Sequence, residues 1–125
     1  MKRNFLIFVV SILITSSCYY DNEKDLYPVS NFNNCDTSNI VFSTMVLPTI
    51  NSKCNNCHSE VLAPELGGHI SLENYENIKY SVDNGSLWGS INYFSGFSPM
   101  PPENRLDDCS ILQIEIWIKN GAKND

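Results

Sequence analysis

Two thiols and an imidazole packed into five residues constrain this chain more than anything else in it. Cys54-Asn55-Asn56-Cys57-His58 sets its cysteines three residues apart, and in a helical turn residues at that spacing lie on one face. The histidine follows directly, so its ring points to the same neighbourhood. The segment uses two of the five cysteines and one of the two histidines in the chain. Whatever these groups hold, the surrounding chain must fold around it.

The C-x-x-C spacing serves more than one chemistry. A thioredoxin-like redox pair sits in a βαβ setting, whereas a helix-like apolar segment precedes Cys54 and no strand signal is near. A structural zinc site needs four ligands, usually from two such clusters, and His69 is the one histidine left over. The full C-x-x-C-H spacing is that of covalent haem c attachment. Cys54 and Cys57 are then expected to bond the two porphyrin vinyl groups, and His58 to ligate the iron.

The first residues have the character of an export leader. Met1-Lys2-Arg3-Asn4 carries positive charge, and the apolar run from Phe5 to Ile14 is too short to span a bilayer. Thr15-Ser16-Ser17-Cys18 resembles the lipobox of bacterial lipoproteins, with Thr15 where leucine is usual. That resemblance implies a signal peptide over 1–17 and a lipid on Cys18; the alternative is ordinary cleavage with Cys18 left as a stray thiol. Residues 18–34 are polar, with Asp21, Glu23 and Asp25 among several asparagines, and are expected to form a tether. Those acids resemble a surface-export signal of Bacteroidetes lipoproteins; a merely soluble linker is the alternative. The expected location is therefore outside the cytoplasm, lipid-anchored at the inner or outer membrane facing the periplasm, or at the cell surface.

Removing that leader leaves a domain of roughly 100 residues, enough for one core, expected over 35–125. With haem and lipid accounting for three cysteines, Cys35 and Cys109 remain as a candidate disulfide in a compartment where disulfides persist; two buried free thiols are the alternative. The formal charge is −6, and loss of Lys2 and Arg3 makes the mature chain two units more negative. With no basic patch, nucleic acid is not an expected partner. A redox partner steered by charge would present basic groups.

The periodicity is helical. Val41, Phe42, Met45, Val46 and Ile50 recur at three- and four-residue steps, predicting a helix from Thr37 to Lys53 capped by Thr37 or Ser38 and kinked or divided at Pro48. Met45 falls on the apolar stripe and reads as core. The segment 61–68 reads as a loop from its Pro and Gly content. An iron-bound imidazole normally gives its second N–H to a carbonyl or carboxylate, and the Pro64 carbonyl is the expected acceptor here. His69 reads as a surface residue, with haem ligation or a propionate contact as alternatives.

A helix capped by Ser71 and stopped at Asn84-Gly85 is expected next, then a turn or two over Leu87 to Ile91. The last helix opens at Asp107-Asp108-Cys109-Ser110, ends at Gly121, and carries the stripe Ile114, Trp117 and Ile118. Between these lies Phe97-Ser98-Pro99-Met100-Pro101-Pro102. Prolines on both sides stiffen the loop around one polarizable thioether, as an axial ligand on the face opposite His58 requires. A methionine merely packed or exposed is the alternative.

Four segments together carry a family resemblance: Cys54 to His58; Gly67-Gly68-His69-Ile70-Ser71-Leu72-Glu73-Asn74-Tyr75; Ser98-Pro99-Met100-Pro101-Pro102; and Ile116-Trp117-Ile118-Lys119-Asn120-Gly121-Ala122. Over roughly Cys35 to Ala122 the chain is similar to a class I cytochrome c domain of the single-haem lipoprotein type found in Bacteroidetes and Planctomycetes. It lacks the Gly-Pro-Asn-Leu pattern of mitochondrial-type cytochromes after the haem histidine. The resemblance implies an all-α fold of about four short helices around one haem, with first and last helices crossing. His58 and Met100 would be the axial ligands, and Cys54 and Cys57 the thioether links.

The function this implies is electron transfer without catalysis, one haem c cycling between Fe(II) and Fe(III) at a relatively high potential. A haem-based sensor or enzyme is the alternative and requires an open iron position, which would follow if Met100 is not a ligand. A third reading is a structural lipoprotein with haem as core filler.

Overall fold

A computed structural model describes residues 35–125, and the expected signal peptide, Cys18 and the tether lie outside them. Every regular element among the described residues is helical. A π-helical turn, Phe42–Val46, runs into α1 (Leu47–Lys53); α2 (Asn55–His58), α3 (Tyr75–Asp83), α4 (Ser86–Ile91) and α5 (Asp108–Lys119) follow. Among the described residues the all-α expectation holds, with five short α-helices where about four were expected.

The first helix begins five residues later than its periodicity predicts. Asp36 draws the Ser38 N–H (3.0 Å) and hydroxyl (2.7 Å) into a local turn, which removes Ser38 as a helix cap. The N–H of Phe42 instead donates to Asp125 Oδ1 at 2.8 Å, and that of Ser43 to the Asp125 main-chain oxygen at 2.9 Å. Pro48 divides the helix as expected. Having no N–H, it cannot bond to the carbonyl of Thr44. The Leu47 N–H reaches back five residues to Phe42, giving the π turn, and Pro48 sits in the first turn of α1 where its missing donor costs nothing.

Two other helix starts differ in how far they follow local sequence. Asn74, rather than Ser71, caps α3 by accepting the Asn77 N–H at 3.0 Å. The last helix opens at Asp107 as expected, and Asp107 caps α5, accepting from the Ser110 N–H (2.9 Å) and hydroxyl (2.7 Å). These bonds hold its carboxyl below the usual carboxylate range. Gly85 (φ 78°) and Gly121 (φ 95°) take the left-handed conformation that stops α3 and α5.

The core joins the two ends of the described chain. Phe42 stacks on Trp117 with ring centroids 5.2 Å apart and meets Tyr75 edge-on at 5.3 Å. Val46, Ile50, Ile78, Ile91 and Ile114 are buried around them. Met45 is half-buried against this cluster, in keeping with a core role. The Trp117 Nε1–H donates to Lys123 O at 2.8 Å and the Tyr75 hydroxyl to Ala122 O at 2.9 Å, so the buried polar tips of the aromatics pin the segment after α5. Ile118 packs at the core edge, while Glu115 and Lys119 form an i,i+4 ion pair at 2.6 Å. Gln113 Nε2 donates to Asp36 O at 2.9 Å.

Cys35 and Cys109, the candidate pair, form a disulfide with Cα atoms 5.5 Å apart. It fastens the segment before the π turn to the first turn of α5. Among the described residues no helix is long and apolar enough to cross a membrane.

Candidate functional site

Cys54 ends α1 and caps α2 at once, so the C-x-x-C-H segment is a single tight corner. The Cys54 N–H donates to Ile50 O (2.8 Å), and the Cys54 carbonyl accepts from Cys57 (3.0 Å) and His58 (2.9 Å). Both thiols are free; Cys54 is half-buried and Cys57 exposed. Burial pushes the Cys54 thiol up to about 11, so it stays protonated at neutral pH.

His58 is oriented from behind. Its Nδ1 lies 2.7 Å from the carbonyl oxygen of Ile70. A carbonyl only accepts, so Nδ1 carries the hydrogen, and in the neutral ring Nε2 is then the nitrogen that keeps its lone pair. This is the second-N–H contact expected of a metal-ligating imidazole, but the acceptor is Ile70 and not Pro64. Pro64 is exposed on a loop that turns back only afterwards. Within that loop Gly67 and His69 both donate to Ala63 O (3.1 and 2.8 Å), Ile70 donates to Gly67 O (3.0 Å), and Leu72 donates to His58 O (2.7 Å).

Glycine makes the turn-back possible. A Cβ on Gly67 would stand 2.7 Å from Cys57 O and 3.0 Å from His58 Nδ1. The loop therefore presses backbone directly against the corner that carries Cys57 and His58. Gly68 (φ 59°) and His69 (φ 64°) both adopt left-handed conformations to complete the reversal. His69 is exposed. The sequence signal for this architecture was Gly67-Gly68, which marks a loop without saying which carbonyl it delivers to the histidine.

Met100 belongs to a different element. Its N–H donates to Ser90 O at 3.0 Å, and its side chain is half-buried, so the methionine loop is docked on the end of α4. The structure thus gathers Cys54, Cys57 and His58 into one turn and holds Met100 separately on its own stiff loop. Ile70 and Ser90, whose carbonyls serve these two places, were not singled out by residue type.

The competing uses of C-x-x-C find little support in this geometry. Among the described residues no strand flanks the motif, and no three His, Cys, Asp or Glu side chains converge as a metal cage. Two free thiols in one turn, a histidine with Nε2 bearing its lone pair, and a glycine cradle behind it fit the demands of a covalently attached metalloporphyrin. Comparison of the chain with protein-family models, with curated proteins and with solved structures finds no match.

Proposed function

We propose that residues 35–125 bind one haem c through Cys54 and Cys57, with His58 and Met100 as axial ligands, and that the protein is an electron carrier held at a membrane surface through Cys18. The observation that carries this reading is the His58 Nδ1 contact with Ile70 O, made beside two free thiols in the same helical turn. A structural surface histidine has no need of a fixed tautomer. A ligand does.

Haem, if bound here, would supply one-electron exchange; the chain's own residues would attach and orient it. Cys54 and Cys57 anchor the group from one helix face. The Ile70 carbonyl fixes the His58 ring and raises its basicity. The Met100 loop, with few accessible conformations, offers a ligand that favours the reduced state. An acidic mature surface suits a partner with basic groups at its docking face.

Production in a host with haem c maturation tests the attachment. Intact-mass and peptide analysis are expected to find one haem per chain on the peptide carrying Cys54 and Cys57. The double variant Cys54→Ala with Cys57→Ala is expected to carry none covalently. Covalent haem persisting in that variant, or absent from the wild type, would refute the proposal.

A further inference from the structure

The segment Pro99-Met100-Pro101-Pro102 has a single main-chain donor, because prolines lack N–H groups. That donor, on Met100, goes to Ser90 O at 3.0 Å. Anything else that fixes the main chain of this segment by hydrogen bonding must bring its own donor to a carbonyl. The Tyr93 hydroxyl does so, donating to Pro101 O immediately beyond the methionine. Met100 is thus bracketed by one bond it makes and one bond its neighbour receives.

The two halves of the loop are held differently. Residues 94–97 are exposed but lean on α4 through their rings: Phe94 meets Trp88 edge-on at 6.5 Å, and a Cβ on Gly89 would fall on the Phe97 ring. For residues 99–102 the described main-chain fastenings are the Ser90 and Tyr93 hydrogen bonds. Tyr93 reaches Pro101 from a left-handed backbone conformation (φ 60°), which a bulky residue keeps only where its surroundings hold it. Its own N–H also donates to Ser90 O, at 3.2 Å, so one carbonyl ties the end of α4 to both Tyr93 and Met100.

We propose that Tyr93 is the positioning residue that latches the Met100 loop and thereby sets how readily Met100 yields its coordination place to another ligand. This rests on the haem reading above and extends it to the regulation of the same site: with the latch closed the chain is an electron carrier, and with it released a coordination position opens. Tyr93 acts through the Pro101 carbonyl.

Imidazole titration of the oxidised holoprotein, followed by its visible spectrum, measures how easily Met100 is displaced. Four proteins are compared with wild type: Tyr93→Phe, Met100→Ala, the double variant, and Tyr80→Phe as a control at a tyrosine 70% exposed on α3. Tyr93→Phe is expected to tighten imidazole binding about three- to tenfold, the effect of losing one hydrogen bond from the competing state. In the Met100→Ala background it is expected to change nothing, because no methionine competes there. Tyr80→Phe should match wild type.

Tightening by Tyr93→Phe that is the same with and without Met100 would show a general effect on the fold and overturn the latch. No tightening by Tyr93→Phe, where Met100→Ala does tighten binding, would overturn the latch and leave the ligand assignment standing. Wild type binding imidazole as tightly as Met100→Ala would show that Met100 is no ligand, and both would fall together.

Discussion

His58 is held by an acceptor that has no side-chain chemistry of its own, the main-chain carbonyl of Ile70 2.7 Å from Nδ1. The approach depends on Gly67, whose missing side chain leaves room against Cys57 O and His58 Nδ1. Gly67→Ala is therefore expected to push the loop away from the ligand turn, destabilising the fold by about 1–3 kcal/mol as overpacking does and lowering haem incorporation. Denaturant unfolding and the haem-to-protein absorbance ratio check both. Gly68→Ala, where nothing lies within 4 Å but φ is +59°, should cost only backbone strain and leave haem incorporation near that of wild type. That Cys54, Cys57 and His58 share one turn was legible in the sequence because they are local to one another. The acceptor was not, because Ile70 arrives twelve residues later through two left-handed residues, Gly68 and His69, and only one of them is a glycine.

At the scale of the helix, α5 owes its start to Asp107 and its stop to Gly121, and both were legible because capping chemistry is local. Asp107→Ala is expected to cost about 1 kcal/mol of stability at neutral pH. Since bonds from the Ser110 hydroxyl and N–H lower the folded carboxyl below its ordinary range, the contribution is complete above the unfolded carboxyl's titration and is lost as pH falls through the lower folded value. The stability gap between wild type and Asp107→Ala should therefore close in acid, as measured by unfolding midpoints across pH. A gap that widened on acidification would contradict the cap. The π turn is the contrasting case. Its start at Phe42 depends on Asp125, 83 residues away, and on Asp36 having taken Ser38 into its own turn; neither is visible in a run of apolar residues. The dividing effect of Pro48 was legible, since it follows from a missing N–H alone.

Over the whole described molecule, the Cys35–Cys109 disulfide and the Phe42–Trp117 stack join the early and late described residues on either side of the C-x-x-C-H turn. The disulfide closes a sequence separation of 74 residues, which in the chain-entropy account is worth about 4 kcal/mol by restricting the unfolded state. Cys35→Ser with Cys109→Ser should lower the denaturant midpoint accordingly, with the haem spectrum retained, because the ligand turn and the methionine loop lie elsewhere. The central claim, that this frame holds one haem c between His58 and Met100, is tested most directly by the visible absorption spectrum, oxidised and reduced, of wild type beside Met100→Ala, each produced with haem c maturation. Low-spin haem with sharp reduced bands, and a long-wavelength sulfur-to-iron band that disappears in Met100→Ala, is the predicted result. A high-spin spectrum unchanged by the substitution would contradict the Met100 ligand and favour an open iron site, and wild type without haem would contradict the claim altogether.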